Sequence, residues 1–156
     1  MKQIGIFIIL LLFVKCKNDI EVDNMMFVKN IRANEKQNLK KYKAYYIIPP
    51  AICISCNTHP MVSAYQMLHQ NYPVKVVFEC FPENYKVILT KLKNEEIINS
   101  ENYFIDTLVK YNNYNSLTLV NKPIVIYIEK GNIGKVEFLD NENPNAIYDL
   151  ILYLQK

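Results

Sequence analysis

Cys53 and Cys56 are the side chains best suited to do chemistry in this 156-residue chain, and they stand two residues apart around Ile54-Ser55. The attacking species in disulfide exchange is a thiolate. A thiolate forms more readily at a helix amino terminus, where unpaired N–H groups and the helix dipole favour negative charge. The segment after the pair has helical periodicity, so Cys53 would sit at such a terminus and Cys56 one turn inside. Cys53 is therefore the candidate nucleophile and Cys56 the resolving thiol.

Two other readings of the pair stay open. A structural disulfide here would close a very short loop, stabilising by roughly 2 kcal/mol against about 3 for a fifteen-residue loop. Zinc is the other: His59 extends the spacing to Cys-x2-Cys-x2-His, with His69 or Cys80 as a fourth ligand. The chain has no second Cys-x2-Cys and no closely spaced His pair, while structural zinc takes four ligands. No metal and no cofactor is assigned. Cys80 closes an apolar run and reads as a buried free thiol, with a third redox partner as the alternative. His59 and His69 read as helix-surface residues, with tuning of the thiolate the alternative for His59.

The elements that must position the pair follow from periodicity. Tyr42–Ile48 is aromatic and β-branched and predicts a buried strand, stopped by Pro49-Pro50. Met61, Ala64, Tyr65 and Leu68 predict a helix over 57–70, closed by Asn71 and Pro73. Val74–Cys80 predicts a second strand. Pro82-Glu83 starts a helix whose apolar stripe is Tyr85, Ile88, Leu89 and Leu92. Residues 95–115 read as an insertion holding one helix. Ile124–Ile128 predicts a strand, Gly131 and Gly134 bracket a turn, and Val136–Leu139 is the hairpin partner. Pro144 opens a last helix with Ile147, Leu150, Ile151 and Leu154 on one face. The order β-α-β-α-(insertion)-β-β-α predicts an α/β fold, a mixed sheet with helices on both faces.

The Cys-x-x-Cys at a strand-to-helix turn, in that element order, resembles the thioredoxin superfamily over residues 42–155. Asn121-Lys122-Pro123 before Ile124–Ile128, with Lys130-Gly131 after, is similar to the family's third core strand. The resemblance implies a cis-proline at Pro123 that contacts the substrate backbone, and a helix-kinking proline at Pro60. It also implies protein thiols or disulfides as substrates and a separate redox partner. The chain departs from thioredoxin itself in Ile52 where that protein has Trp, in Ile54-Ser55 between the cysteines, and in the absence of a carboxylate from Tyr42–Ile48. These departures motivate an alternative: a thioredoxin-fold binding or scaffold lipoprotein with a permanent disulfide.

Ile4–Val14 is apolar except for Gly5, follows Lys2, and is too short for a bilayer-spanning helix, which takes roughly 20 residues. It has the length of a secretory h-region. With Cys16 and the polar Lys17-Asn18-Asp19 behind it, it resembles a lipoprotein signal, which implies lipidation at Cys16. An uncleaved short anchor and a plain secretory signal are the alternatives. The expected organisation is a signal over 1–15, a lipidated amino terminus and tether over 16–41, and the domain over 42–156. That places the domain outside the cytoplasm, held to the cell-envelope membrane, where disulfides persist. The formal charge is +3; without residues 1–15 the chain has 16 basic and 15 acidic residues, which is no nucleic-acid signature, since polyanion binding needs clustered positive charge.

Overall fold

Strands buried on both faces read as near-continuous apolar runs, and two segments of this chain do so: Ala-Tyr-Tyr-Ile-Ile and Ile-Val-Ile-Tyr-Ile. In the computed structural model, which describes residues 26–34, 38–50, 59–97, 100–107, 122–139 and 145–156, they are neighbours at the centre of a sheet. The elements are α1 (Met26–Asn34), a 3-10 turn (Asn38–Lys40), β1 (Ala44–Ile48), α2 (His59–His69), β2 (Val74–Glu79), a second 3-10 turn (Pro82–Asn84), α3 (Tyr85–Asn94), β3 (Tyr103–Asp106), β4 (Ile124–Glu129), β5 (Asn132–Phe138) and α4 (Ala146–Gln155).

The sheet has five strands in the order β3-β2-β1-β4-β5. β1, β2 and β3 run parallel, with Ile48 opposite Phe78 and Glu79 opposite Asp106. β4 runs antiparallel to β1, with Ile47 opposite Ile124, and β5 runs antiparallel to β4. This is the mixed α/β sheet that the element order predicts.

Alternation sends the side chains of each strand to two cores. Ala44, Tyr46, Ile48, Val76, Phe78, Val125 and Tyr127 meet α2, α3 and α4 on one face. Tyr45, Ile47, Val77, Ile124, Ile126 and Ile128 meet Val28 and Ile31 of α1 and Leu39 on the other. Helices thus cover both faces. Val28 and Ile31 are fully buried, so the packed body takes in α1, in a stretch the sequence reading gives to the tether.

The helix ends have local causes. Asn71 and Glu96 adopt left-handed φ values of 52° and 57°, each just past a helix. Beyond them the Tyr72 N–H donates to the Met67 carbonyl at 3.2 Å and the Ile97 N–H to the Leu92 carbonyl at 2.9 Å. Both closures satisfy carbonyls that the helix end leaves unpaired.

Two local expectations are corrected. The described part of the 95–115 insertion holds β3 rather than a helix: Tyr103–Asp106 finds a ladder along β2, and pairing overrides its weak local signal. The hairpin turn is Lys130-Gly131, both at positive φ, so β5 begins at Asn132 and Gly134 lies inside it. The β4–β5 register shifts by one between Ile126 and Ile128, which puts a bulge at the level of Gly134. An added Cβ there would lie 3.0 Å from the Glu129 side chain.

Candidate functional site

The carboxyl ends of β1, β2 and β3 lie together because the three strands are parallel and in register. The chain leaves β1 through the buried Pro49-Pro50 and re-enters the described structure at His59. Cys53 and Cys56 belong to the intervening segment 51–58 and lie outside the described residues, as does Cys16. The frame on either side of that segment is described. The Tyr46 hydroxyl, from the middle of β1, donates to the Pro60 carbonyl at 3.2 Å. The Ser63 hydroxyl donates to the His59 carbonyl at 2.8 Å. Pro60 is in the first turn of α2, where its missing N–H costs no helical bond.

Pro123 immediately precedes β4 and is buried. Continuing the β1–β4 register one step beyond Ile47–Ile124 sets it against Ile48, at the end of β1 from which the cysteine segment departs. Its carbonyl accepts the Leu139 N–H at 2.9 Å. No cis peptide bond occurs among the described residues, so Lys122–Pro123 is trans. The cis bond that the resemblance implies at Pro123 is corrected on this point.

Cys80 follows β2 at the same sheet end. It is a free, fully buried thiol, as the sequence reading has it. Its N–H donates to the Asp106 carbonyl at 3.0 Å. Burial pushes its thiol pKa up, and the carboxylates of Asp106 and Glu83 add to the rise. A thiol held protonated in this way is a poor nucleophile, the reverse of what Cys53 needs. His59 is exposed at the start of α2. His69 is exposed at its end and lies 3.7 Å from the Glu95 carboxylate.

Glu79 and Asp106, 0% and 2% exposed, are the buried acids that the sequence reading misses. They occupy directly opposed positions at the ends of β2 and β3. Charged side chains are seldom fully buried. Nothing local marks these two; their burial comes from the pairing of β3 onto β2. Among the described residues no group of three His, Cys, Asp or Glu side chains is placed to hold a metal ion, and no helix is long and apolar enough to cross a membrane.

No family model matches this chain, and neither a curated protein nor a solved structure matches it.

Proposed function

We propose that this protein is a thioredoxin-like thiol–disulfide oxidoreductase of the cell envelope, held to the membrane through a lipid on Cys16. The observation that carries the reading is the sheet register: β1 runs into the segment that contains Cys53 and Cys56, and Pro123 heads the antiparallel strand beside the same end of β1. A substrate disulfide meeting that segment would find the thiols and an extended backbone edge together.

In the proposed reaction the Cys53 thiolate attacks one sulfur of a partner disulfide. The partner's S–S bond breaks, its second sulfur leaves as a thiolate, and a mixed disulfide forms. Cys56, as thiolate, then attacks the Cys53 sulfur. The substrate leaves as a dithiol, and Cys53–Cys56 is left oxidised. Two electrons have moved to the substrate, and a separate dithiol partner returns them; the opposite direction uses the same steps in reverse. Pro123 contributes backbone contact to the bound substrate.

Mutation of the nucleophile tests this. Cys53→Ser should abolish exchange with a model protein disulfide, and Cys56→Ser should trap the mixed disulfide. Unchanged exchange in Cys53→Ser would sink the reading.

One observation favours a second reading. The trans Lys122–Pro123 bond, together with a β1 that contains no carboxylate, suits a binding or scaffold lipoprotein with a permanent disulfide. Equilibration against glutathione separates the two. A potential between about −100 and −270 mV belongs to working oxidoreductases, whereas one below about −300 mV belongs to a structural bridge.

A further inference from the structure

At the opposite end of the sheet, Arg32, Leu39, Lys40, Gly131, Asn132 and Ile133 line a cleft of about 400 Å³ between α1, the 3-10 turn and the β4–β5 turn. Two of these side chains are cationic and both are exposed. The floor is apolar: Leu39 is 7% exposed, and Ile133 packs onto the core beneath α1. No carboxylate lines it among the described residues. Glu129, the nearest acid along the hairpin, alternates to the other face of the sheet, where its charge acts on Tyr153 of α4. The cleft depends on a bare backbone: Gly131 is at φ +79°, and a Cβ there would come within 3.3 Å of the Lys40 side chain that lies over it.

Cations above an apolar floor are complementary to a phosphate carried on an acyl-glycerol body. The path of the chain favours a membrane as its source. Residues 17–25 alone separate the proposed lipid on Cys16 from α1, which limits their span to roughly 30 Å even fully extended. Arg32 is six residues into α1 from Met26, so the tether enters the body roughly 9 Å from the cleft.

We propose that this cleft engages an anionic phospholipid headgroup at the membrane surface. The proposal rests on the membrane-tethered part of the reading above and gives it an orientation. The cleft lies where β1 starts and the cysteine segment lies where β1 ends, so a docked cleft turns the cysteine end away from the bilayer and toward soluble substrates.

The test uses the full chain with vesicles of phosphatidylcholine alone or of phosphatidylcholine with phosphatidylglycerol. Vesicle association is read by flotation, and acylation of the Lys40 amine by peptide mass spectrometry. Each cation held at an anionic surface is worth roughly a fivefold change in local affinity. Lys40 acylation should therefore slow about fivefold or more on the anionic vesicles, while the exposed Lys86 and Lys93 of α3 serve as controls. Raised salt should restore the Lys40 rate, and Arg32→Glu should remove the protection. Flotation on both vesicle types with equal Lys40 rates overturns the headgroup proposal and leaves the tether standing. Flotation on anionic vesicles alone, with Lys40 protected, supports the cleft and counts against the tether. Failure to float on either overturns both. Inorganic phosphate that protects Lys40 where anionic vesicles do not assigns the cleft to a free anion and overturns the membrane source.

Discussion

The two ends of the sheet are built on different principles. At the carboxyl end the polar groups are inside: Cys80 and Glu79 are fully buried, Asp106 is nearly so, and Pro123 is enclosed beside Ile48. At the amino end they are outside. Lys41 and Lys75 flank the Tyr42 ring at 5.4 and 5.5 Å, and Lys41 pairs with Glu101 at 2.8 Å in the open. Burial raises the cost of a misplaced charge, because electrostatic energies grow as the local dielectric falls. Under the proposed function, the end that tunes thiols would use that leverage, whereas the end proposed to meet a charged surface would keep its cations hydrated and accessible. Substitutions at the carboxyl end should therefore be felt strongly, and those at the amino end weakly.

The steepest contrast comes from Phe78→Ala. Phe78 is fully buried, one residue before Glu79, and its ring meets Tyr65 and Tyr103 at centroid distances of 6.4 Å. Deleting a ring from a close-packed core costs about 3–5 kcal/mol. A urea titration should show that loss as a lower midpoint with an unchanged slope. A loss under about 1 kcal/mol would mean that this end is loosely packed and that the comparison fails.

Tyr127→Phe probes the amino half. Tyr127 is opposite Ala44, donates to the Glu137 carboxylate at 2.7 Å, and is stacked edge-on with Tyr153 at 5.0 Å. Burial first, and then Glu137, hold its phenol pKa up, so it remains a donor through the alkaline range. Losing that bond should cost roughly 1.5 kcal/mol, the low end for a bond to a charged group, because Lys135 still pairs with Glu137. The ring contact with Tyr153 survives the substitution, and the same urea titration measures the difference.

Much of this frame is legible in the sequence, and the exceptions share a cause. β1 and β4 announce themselves because strands covered on both sides are apolar almost throughout, and β2 does so through Val74, Val76, Val77 and Phe78. α2 does so through Met61, Ala64, Tyr65 and Leu68, all of which are buried. β3 does not: Phe104 is 45% exposed and Asp106 is buried, an inversion that no local pattern predicts. α1 hides for the same reason: its apolar residues are few and followed by polar ones, and Val28 and Ile31 are buried only because the second sheet face needs a cover. For the candidate site, the Cys-x-x-Cys spacing is plain in the sequence, while the place of Pro123 beside Ile48 exists only in the register. Glu79 and Asp106 become a buried pair only when β3 docks.

Cys80 offers a pH test of the carboxyl end. Its folded pKa lies above the unfolded value, so the unfolded chain releases this proton first as pH rises. Between the two values the folded state binds more protons, and stability falls with increasing pH. The contribution is fully present below about 8.5, the unfolded thiol pKa, and is lost as pH climbs through the folded value. Thermal melts at pH 7 and pH 10 should therefore converge somewhat in Cys80→Ala relative to the native chain. Equal alkaline losses in the two proteins would show that the Cys80 thiol is not held protonated.

The smallest effect belongs to Glu101→Gln at the amino end. The Lys41 side chain, bonded to Glu101, lowers the carboxyl pKa and is itself raised by the same contact. By linkage, the Glu101 contribution is present above its unfolded pKa of about 4.3 and fades as pH falls through the folded value. Both partners stand in water, however, with side chains 48% and 84% exposed. Solvent and salt screen the attraction, and ordering two mobile side chains offsets most of what is left. The Lys75 amine donates to the Glu101 backbone carbonyl at 2.7 Å, a contact that the substitution leaves in place. The melting temperature should be unchanged within error at physiological salt, with any difference appearing only at low ionic strength. A loss at physiological salt as large as that of Tyr127→Phe would show that the amino end is as electrostatically tense as the carboxyl end, and the contrast between them would be gone.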